Sequence, residues 1–323
     1  MKKKLEKALE EIKKTFGEGA IQSFSEEDTS KMSYDVIRTG SFQLDRAIGI
    51  GGIPKGRTVE IFGPESSGKS TLTLHIIANC QKKGGFAVLI DTEHAFDPKY
   101  AQTIGVSLEA DKFRICQPDV GEDALEIVNK LVEGGVDLIV VDSVAGLLPQ
   151  KEDENPFEKD TMGLQARLMS KAMRKLTHKI QENNVALVFT NQVRAKFGVR
   201  FGDKTTTPGG RALKFFASLR IFITRIGTEK VKGVKVSNLT KVVVKKNKCA
   251  PPYRECEFSI VYGKGIDQKR DFLETLLNLN VLKREKRSFV FEDFKFSDPK
   301  NFFLYLKKNP QIKKTLFKKL RKI

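Results

Sequence analysis

Gly63-Pro64-Glu65-Ser66-Ser67-Gly68-Lys69-Ser70 has the spacing G-x-x-x-x-G-K-[ST] of a phosphate-binding loop. Two glycines let the backbone turn tightly, so that successive N–H groups point inward. Phosphate oxygens can then satisfy donors that a helix start leaves without partners. Lys69 brings a mobile positive charge to the β- and γ-phosphates of a nucleoside triphosphate, and Ser70 offers a hydroxyl to the Mg²⁺ that bridges them. A glycine-rich turn carrying a solvated lysine is the alternative. Context weighs against it, because residues 59–62 read as a short strand before the loop, and Leu72, Ile76 and Ile77 recur at helical spacing after it.

Other chemistry-bearing residues fall directly after apolar runs. Asp91, Glu93 and His94 follow a run at 86–90, Asp142 follows one at 138–141, and Asn191, Gln192 and Arg194 follow one at 186–189. Asp142 either caps the next helix or reaches Mg²⁺ through water; a phosphate loop in the same sheet favours the metal. Glu93 either starts a helix or polarises water for in-line attack on the γ-phosphate, and the second reading is the sharper. His94 reads as a hydrogen-bonded structural residue. Gln192 can sense the γ-phosphate, since an amide bonds either a phosphate oxygen or the attacking water, or it is a plain loop residue. Lys246 and Lys248 stand on one side of an extended segment, where they are solvated or reach a phosphate.

Positioning these groups requires a sheet. Runs at 59–62, 86–90, 138–141, 186–189, 219–226, 241–244 and 256–261 alternate with helical segments, and the first four are nearly all apolar, as strands buried on both faces should be. This is the pattern of an α/β, doubly wound, mostly parallel sheet, in which ligands gather beyond the carboxyl ends of the strands. Residues 1–32 form an outlying helix and polar linker, with Leu5, Ala8, Leu9, Ile12 and Phe16 on one face before Gly17. That stripe docks either on its own body or on a neighbouring subunit. Residues 33–266 form the nucleotide-binding core, and 267–323 a small α+β domain with helical segments around 272–277 and 302–306 and a β-like piece at 288–291.

Two loops interrupt the core. The first, about 152–162, leads into a helix with its apolar stripe at Leu164, Leu168, Ala172, Leu176 and Ile180, and a basic stripe at Arg167, Lys171 and Arg174. The second, about 193–207, interleaves Arg194, Lys196, Arg200 and Lys204 with Phe197, Phe201 and glycines before Gly209-Gly210. Cations and aromatics on a flexible backbone suit single-stranded nucleic acid, phosphates taking the charges and rings contacting bases.

The 323 residues carry 58 Lys and Arg against 40 Asp and Glu, a net charge of +18 that favours polyanionic partners. No apolar run is long enough for a membrane span, and charges interrupt any signal-peptide core near the N-terminus, so a cytoplasmic protein is expected. Cys80, Cys116, Cys249 and Cys256 are scattered, which suggests neither a disulfide framework nor a zinc site.

GPESSGKS, IDTEHAFDPKYA, VVDSVAGLLP, MGLQARLMSKAMRKL, TNQVRAKFGVRFG and VVKKNK together resemble, in order and spacing, the RecA family of bacterial recombinases. The resemblance covers the chain from end to end. It implies a RecA-like P-loop NTPase core and an ATP- and Mg²⁺-dependent helical filament of the protein with itself. Such a filament coats single-stranded DNA, pairs it with double-stranded DNA, exchanges strands and promotes self-cleavage of the SOS repressor. Carried onto this sequence, it puts the nucleotide on Gly63, Pro64, Glu65, Ser66, Ser67, Gly68, Lys69, Ser70 and Thr71, adenine beside Asp97 and Tyr100, and metal at Ser70 and Asp142. Glu93 would activate water, Gln192 would couple the γ-phosphate to the second loop, and Lys246 and Lys248 would act across the subunit boundary. DNA would meet Met162, Arg167, Ser170, Arg174, Arg194, Arg200, Phe201, Gly209, Gly210 and Arg211. Ala195 and Arg200 stand where the family often has methionines, and Pro208 and Arg211 where it often has Thr and Asn. The C-terminus, usually acidic in the family, is here basic from Lys307 onward, either adding phosphate contacts or forming a helix docked through Ile312, Leu316 and Leu320. Two alternatives remain open: a nucleotide-switched DNA coat with negligible turnover, and a related ring-forming ATPase or helicase. The pairing of Glu93 with Lys69 argues for hydrolysis.

Overall fold

The computed structural model describes residues 2–21, 23, 33–154, 163–195, 205–286 and 288–321. The chain forms two units, Met1–Asp35 and Val36–Ile323. In the first, helix α1 (Lys2–Phe16) stops at Gly17, whose φ of 90° a side chain would resist. Along its apolar stripe, Leu5 is 61% and Phe16 74% exposed, while Leu9 and Ile12 are half-buried.

The second unit opens with β1 (Val36–Ile37), α2 (Phe42–Ile48) and β2 (Ile53–Pro54). The central elements follow: β3 (Thr58–Gly63), α3 (Lys69–Lys82), β4 (Ala87–Asp91), α4 (Pro98–Ile104), β5 (Phe113–Cys116), α5 (Gly121–Glu133) and β6 (Leu138–Asp142). After the short α6 (Gln150–Asp153) come α7 (Leu164–Glu182), β7 (Ala186–Gln192), β8 (Arg194–Ala195), β9 (Thr205–Thr206) and α8 (Ala212–Phe216). A long hairpin of β10 (Leu219–Val231) and β11 (Val234–Asn247) leads to β12 (Glu255–Val261) and β13 (Gly265–Ile266).

These strands build a 9-stranded sheet in the order β13-β12-β11-β10-β3-β7-β6-β4-β5. From β10 to β5 every pairing is parallel, and the β10–β11–β12–β13 side is antiparallel. β3, β4, β6 and β7 are buried along almost their whole length because helices cover both faces. Val59, Ile61, Val140 and Val188 pack with Leu72, Ile76 and Ile77 of α3 on one face, while Ile139, Val141, Leu187 and Phe189 pack with Met169, Met173 and Leu176 of α7 on the other. Alternation along each strand assigns the faces.

Beyond β13 lie α9 (Gln268–Asn278), the antiparallel sheet β14 (Lys283–Glu285), β15 (Ser288–Phe291) and β16 (Phe294–Phe296), then α10 (Pro299–Lys308) and α11 (Pro310–Arg321). They share a core of their own, onto which Phe42 of α2 packs, its ring 5.5 Å from Phe272 and 5.4 Å from Phe317. In α11, Leu316 and Leu320 are buried and Ile312 is partly buried, whereas Lys313, Lys314, Lys318 and Lys319 face solvent. The tail is a docked helix with a basic outer face.

Candidate active site and nucleic-acid interface

Parallel register decides what meets at the sheet's carboxyl edge. Gly63 is level with Gln192, and Asp91 with Asp142, so the loops after β3, β4, β6 and β7 converge. At the first of these, Gly68 adopts φ 97° at the start of α3, and a Cβ there would lie 2.3 Å from Ile260 Cδ1. A Cβ on Gly63 would lie 1.9 Å from the Ile223 carbonyl oxygen, so both positions require glycine. Lys69 Nζ bends back onto the carbonyls of Gly63 (3.2 Å) and Pro64 (2.8 Å), and the buried Ser67 Oγ has no hydrogen-bond partner. A glycine-bounded loop at a helix start, a recurved lysine and an unpartnered buried hydroxyl fit a phosphate chain, which would give the Ser67 hydroxyl the partner it lacks.

Electrostatics point the same way. Burial lowers the Lys69 ammonium pKa, against the pull of Asp142, Glu93 and Glu65. Burial likewise raises that of Asp142, despite hydrogen bonds from Thr190 and Ser70, with the charges of Glu93 and Asp91 adding to the rise. A phosphate beside Lys69 would favour its charged form, and a cation beside the Ser70–Asp142 pair would favour the carboxylate. Among the described residues no group of three or more His, Cys, Asp or Glu side chains could hold a metal by itself. Any Mg²⁺ ligation here would need oxygens from phosphate and water, the usual habit of that ion.

Glu93 sits on a loop tied down at several points. Asp91 accepts from Ala95 N (3.3 Å), Phe96 N (3.1 Å) and Gln117 Nε2 (2.9 Å), and Thr92 exchanges hydrogen bonds with Ser143. Asp91 is therefore a loop anchor. The exposed Glu93 carboxylate accepts from the Ser143 hydroxyl and, at 3.4 Å, from Gln192 Nε2. Thus the strand-end acid and the strand-end amide, singled out separately in the sequence, touch.

A cavity of ≈ 350 Å³ adjoins the loop, walled by Gly68, Lys69, Ser70, Thr71 and Tyr100 on one side and by Asn238 and Ile260 to Gly263 on the other. Tyr100 Oη lies 3.0 Å from Thr71 Oγ1, and Tyr262 Oη donates to Asn238 Oδ1 at 2.6 Å. Asp97 caps α4, accepting from Lys99 N and Tyr100 N. Asn238 and Tyr262 carry no motif and lie far along the chain, so no sequence signal marks this second wall.

Lys246 and Lys248 are not brought to this loop. Lys248 N donates to Ser218 O and Ser218 N to Thr58 O, each at 2.8 Å, which puts Lys248 level with the amino end of β3. From Thr58 to Gly63 the strand rises roughly 16 Å, beyond a lysine's reach. The exposed Lys248 ammonium has no partner among the described residues. Lys246 Nζ donates to the carbonyls of Lys214 (2.7 Å) and Phe215 (2.8 Å) at the end of α8, and burial, then the charges of Lys248 and Arg220, lower its pKa to about 8.

The two loop exits lie side by side. Gln165 Nε2 donates to Val144 O (2.9 Å) and Leu147 O (3.1 Å), while its Oε1 accepts from Gly209 N (3.1 Å). Gly209, at φ 78°, presses against the turn after β6, where an added Cβ would come 2.9 Å from Val144, and Gly210, at φ 73°, presses against α7, where one would come 2.7 Å from Ala166. Gln165 went unremarked in the sequence because a polar residue near a helix start has many ordinary uses. Arg167, Lys171 and Arg174 are exposed along α7, with Ser170 half-buried beside them, and Arg194 and Arg211 are exposed at the two ends of the second loop. Met162, Arg200 and Phe201 lie outside the described residues. The four cysteines are free thiols.

A phosphate loop at the carboxyl edge of a parallel sheet, with carboxylates at neighbouring strand ends, defines a P-loop NTPase. The RecA N-terminal domain family matches residues 3–267. Proteins titled "Protein RecA" are similar over nearly the whole chain. The one from Aquifex aeolicus (strain VF5) is 48% identical over 322 residues, 99% of this chain and 92% of the relative. The one from Aquifex pyrophilus is 47% identical over 323 residues, again 99% and 92%. That from Legionella pneumophila (strain Corby) is 46% identical over 321 residues, 99% and 91%. The chain belongs to the RecA family. It is a homologous recombinase and DNA-dependent ATPase that binds ATP and DNA and forms filaments, and the readings as a non-hydrolysing coat or a ring helicase are not favoured. No helix among the described residues is long and apolar enough to cross a membrane.

Proposed function

We propose that this recombinase couples DNA to ATP turnover through the contact between Gln192 and Glu93. Mg²⁺-ATP supplies an electrophilic γ-phosphorus and a leaving group whose developing charge the metal offsets. Backbone donors from Gly63 to Ser70 and the Lys69 ammonium orient the phosphates; Ser70 and Asp142 hold the cation. Glu93 takes up a proton from the attacking water, and Ser143 orients its carboxylate. Gln192 stands at the end of β7, from which the chain enters the second loop at Arg194. Strand binding along Arg194, Arg200, Phe201, Gly209, Gly210 and Arg211, and along Met162, Arg167, Ser170 and Arg174, thereby moves the amide that meets Glu93.

Assembly completes the site. Lys248 lies far from its own phosphate loop, and we assign it, with Lys246, to the nucleotide of the adjoining subunit, where a cation stabilises charge on the transferring phosphoryl group as an arginine finger does. The exposed Leu5 and Phe16 of α1 support docking on that neighbour. The filament acts in the cytoplasm, pairs its strand with duplex DNA, and presents a surface for self-cleavage of an SOS repressor.

The observation that carries this reading is the 3.4 Å approach of Gln192 Nε2 to Glu93 Oε1. Gln192→Ala tests it. The variant should bind single-stranded DNA without nucleotide, yet ATP should no longer alter that affinity and DNA should no longer raise turnover. Stimulation equal to the parent's would refute the coupling.

A further inference from the structure

Glu60, at the middle of β3, is 0% exposed. Alternation turns it away from Val59, Ile61 and the phosphate-loop helix, onto the sheet face that carries α7. Its carboxylate is fully engaged. Oε1 accepts from Asn191 Nδ2 at 3.0 Å, and Oε2 accepts from Arg220 Nε at 2.5 Å. Arg220, its parallel neighbour on β10, lies with Cζ 4.3 Å from the centre of the Phe62 ring.

The Asn191 amide is used at both ends. Nδ2 also donates to Pro208 O at 3.1 Å, where the second loop leaves for Gly209-Gly210, and Oδ1 accepts from the backbone N–H of Gln192 at 3.0 Å. With a carboxylate and a carbonyl on one side, only the NH₂ group can face them, so Glu60 and the Pro208 carbonyl together fix which way the amide points. One side chain then ties the loop's exit to the residue that meets Glu93. On the far side of Arg220, its cross-strand partner Lys246 holds the end of α8, the helix into which the loop runs.

Stability does not account for this arrangement. Burying an acid and a guanidinium costs about as much desolvation as their attraction returns, and a well-packed apolar pair is often as stable or more so. What such a pair supplies and an apolar one lacks is direction.

We propose that Glu60 is a positioning residue for DNA-stimulated ATP turnover: by helping to orient Asn191 it locks Pro208 to Gln192, so that the exit of the second loop and the γ-phosphate-sensing amide shift as one body. This rests on the roles given above to Gln192 and the second loop. Glu60 touches neither nucleotide nor DNA, and its loss acts on the coupling between them.

Two variants isolate the effect. Glu60→Leu combined with Arg220→Met replaces the ion pair by apolar groups and deprives Asn191 of one of its two acceptors, leaving only the Pro208 carbonyl; Asn191→Ala keeps the pair and deletes the arm. The double variant should melt near the parent's temperature, bind single-stranded DNA and turn over ATP without DNA at the parent's rate, but lose about tenfold of its DNA stimulation, within the roughly 5- to 150-fold usual for site-to-site coupling. Asn191→Ala should lose a similar factor of stimulation. A purely structural role would instead lower the melting temperature and depress both rates together. Parent-like stimulation in a folded double variant overturns the proposal, and if that variant does not fold, parent-like stimulation in Asn191→Ala does so. Gln192→Ala separates the two levels. If it also keeps stimulation, the reading of the site falls with the proposal; if it alone loses stimulation, only the role of Glu60 falls.

Discussion

Glu93→Gln removes a charge and a proton acceptor while keeping shape. The carboxylate is exposed, and its hydrogen bonds go to Ser143 and Gln192 rather than to the phosphate loop. An amide in its place still offers Ser143 an acceptor, so the loop anchored by Asp91 and Thr92 stays in position. Ground-state binding of ATP should therefore change little. Turnover should fall by about 10²- to 10⁴-fold, the usual contribution of a positioned general base, or about 3–5 kcal/mol of barrier. Because the lost interaction is made only in the transition state, kcat and kcat/KM should fall by the same factor. Phosphate release at saturating single-stranded DNA gives the rates. Fluorescent-nucleotide binding and DNA anisotropy report whether ATP binding and coating persist. A fall in kcat smaller than about tenfold, or equal losses of ATP affinity and turnover, would refute the role assigned to Glu93.

Lys69→Ala should abolish both hydrolysis and active-filament formation, since the phosphates lose the flexible cation of their own loop; ATP-dependent DNA coating at the parent's level would contradict this. Mixed with Lys248→Ala, itself competent to bind ATP, it should regain turnover at roughly a quarter of the sites, where an intact Lys69 faces an intact Lys248. No recovery in co-assembled filaments would rule out action between subunits. Asp45 is pushed up to about 7 by burial, which outweighs its hydrogen bonds from Thr39 and an Arg38 ion pair at 3.6 Å. The folded state thus holds that proton while the unfolded chain releases it near pH 4, so the associated stability is present below pH 4 and lost as pH rises to 7. Asp45→Asn should escape the loss, its stability relative to the parent growing by on the order of 4 kcal/mol over that window. His75, lowered by burial to about 4 and accepting from Ile266 N, acts in the opposite sense but equally in both proteins. A difference in denaturation midpoints that does not vary with pH would refute this. Replacing Lys314, Lys318 and Lys319 by glutamine should weaken duplex binding more than ATP hydrolysis and lower the slope of log affinity against log salt by roughly 0.9 per lost phosphate contact. An unchanged slope would assign the tail to solubility. Truncating the tail would be a poor substitute, because it removes Leu316 and Leu320 from the core.

What sequence could reveal follows from how local each signal is. Residues 59–62 and 63–70 announce themselves because an apolar strand, glycine spacing and helical periodicity are adjacent in the chain. The run at 288–291 matches β15 for the same reason. β5, at the sheet edge, was missed: Phe113 is buried but Arg114 is exposed, so a short Phe-Arg-Ile-Cys segment carries half a pattern. Runs at 219–226 and 241–244 cover only the inner parts of β10 and β11, whose outer parts mix polar with apolar residues and are mostly half-buried or exposed. At the site, Glu93, Asp142 and Gln192 were legible as polar residues ending apolar strands. Glu60 was not, since an acid inside such a strand has no local explanation and its partners Asn191 and Arg220 are distant in sequence.

On the proposed reading, DNA, ATP and neighbouring subunits complete one site together. Electron microscopy of the purified protein on long single-stranded DNA, with and without ATP and Mg²⁺, tests it most directly when phosphate release is followed in the same samples. Long helical filaments that form only with ATP and Mg²⁺, with turnover rising as they form, are the predicted result. Closed rings, or full turnover by unassembled subunits without DNA, would contradict it.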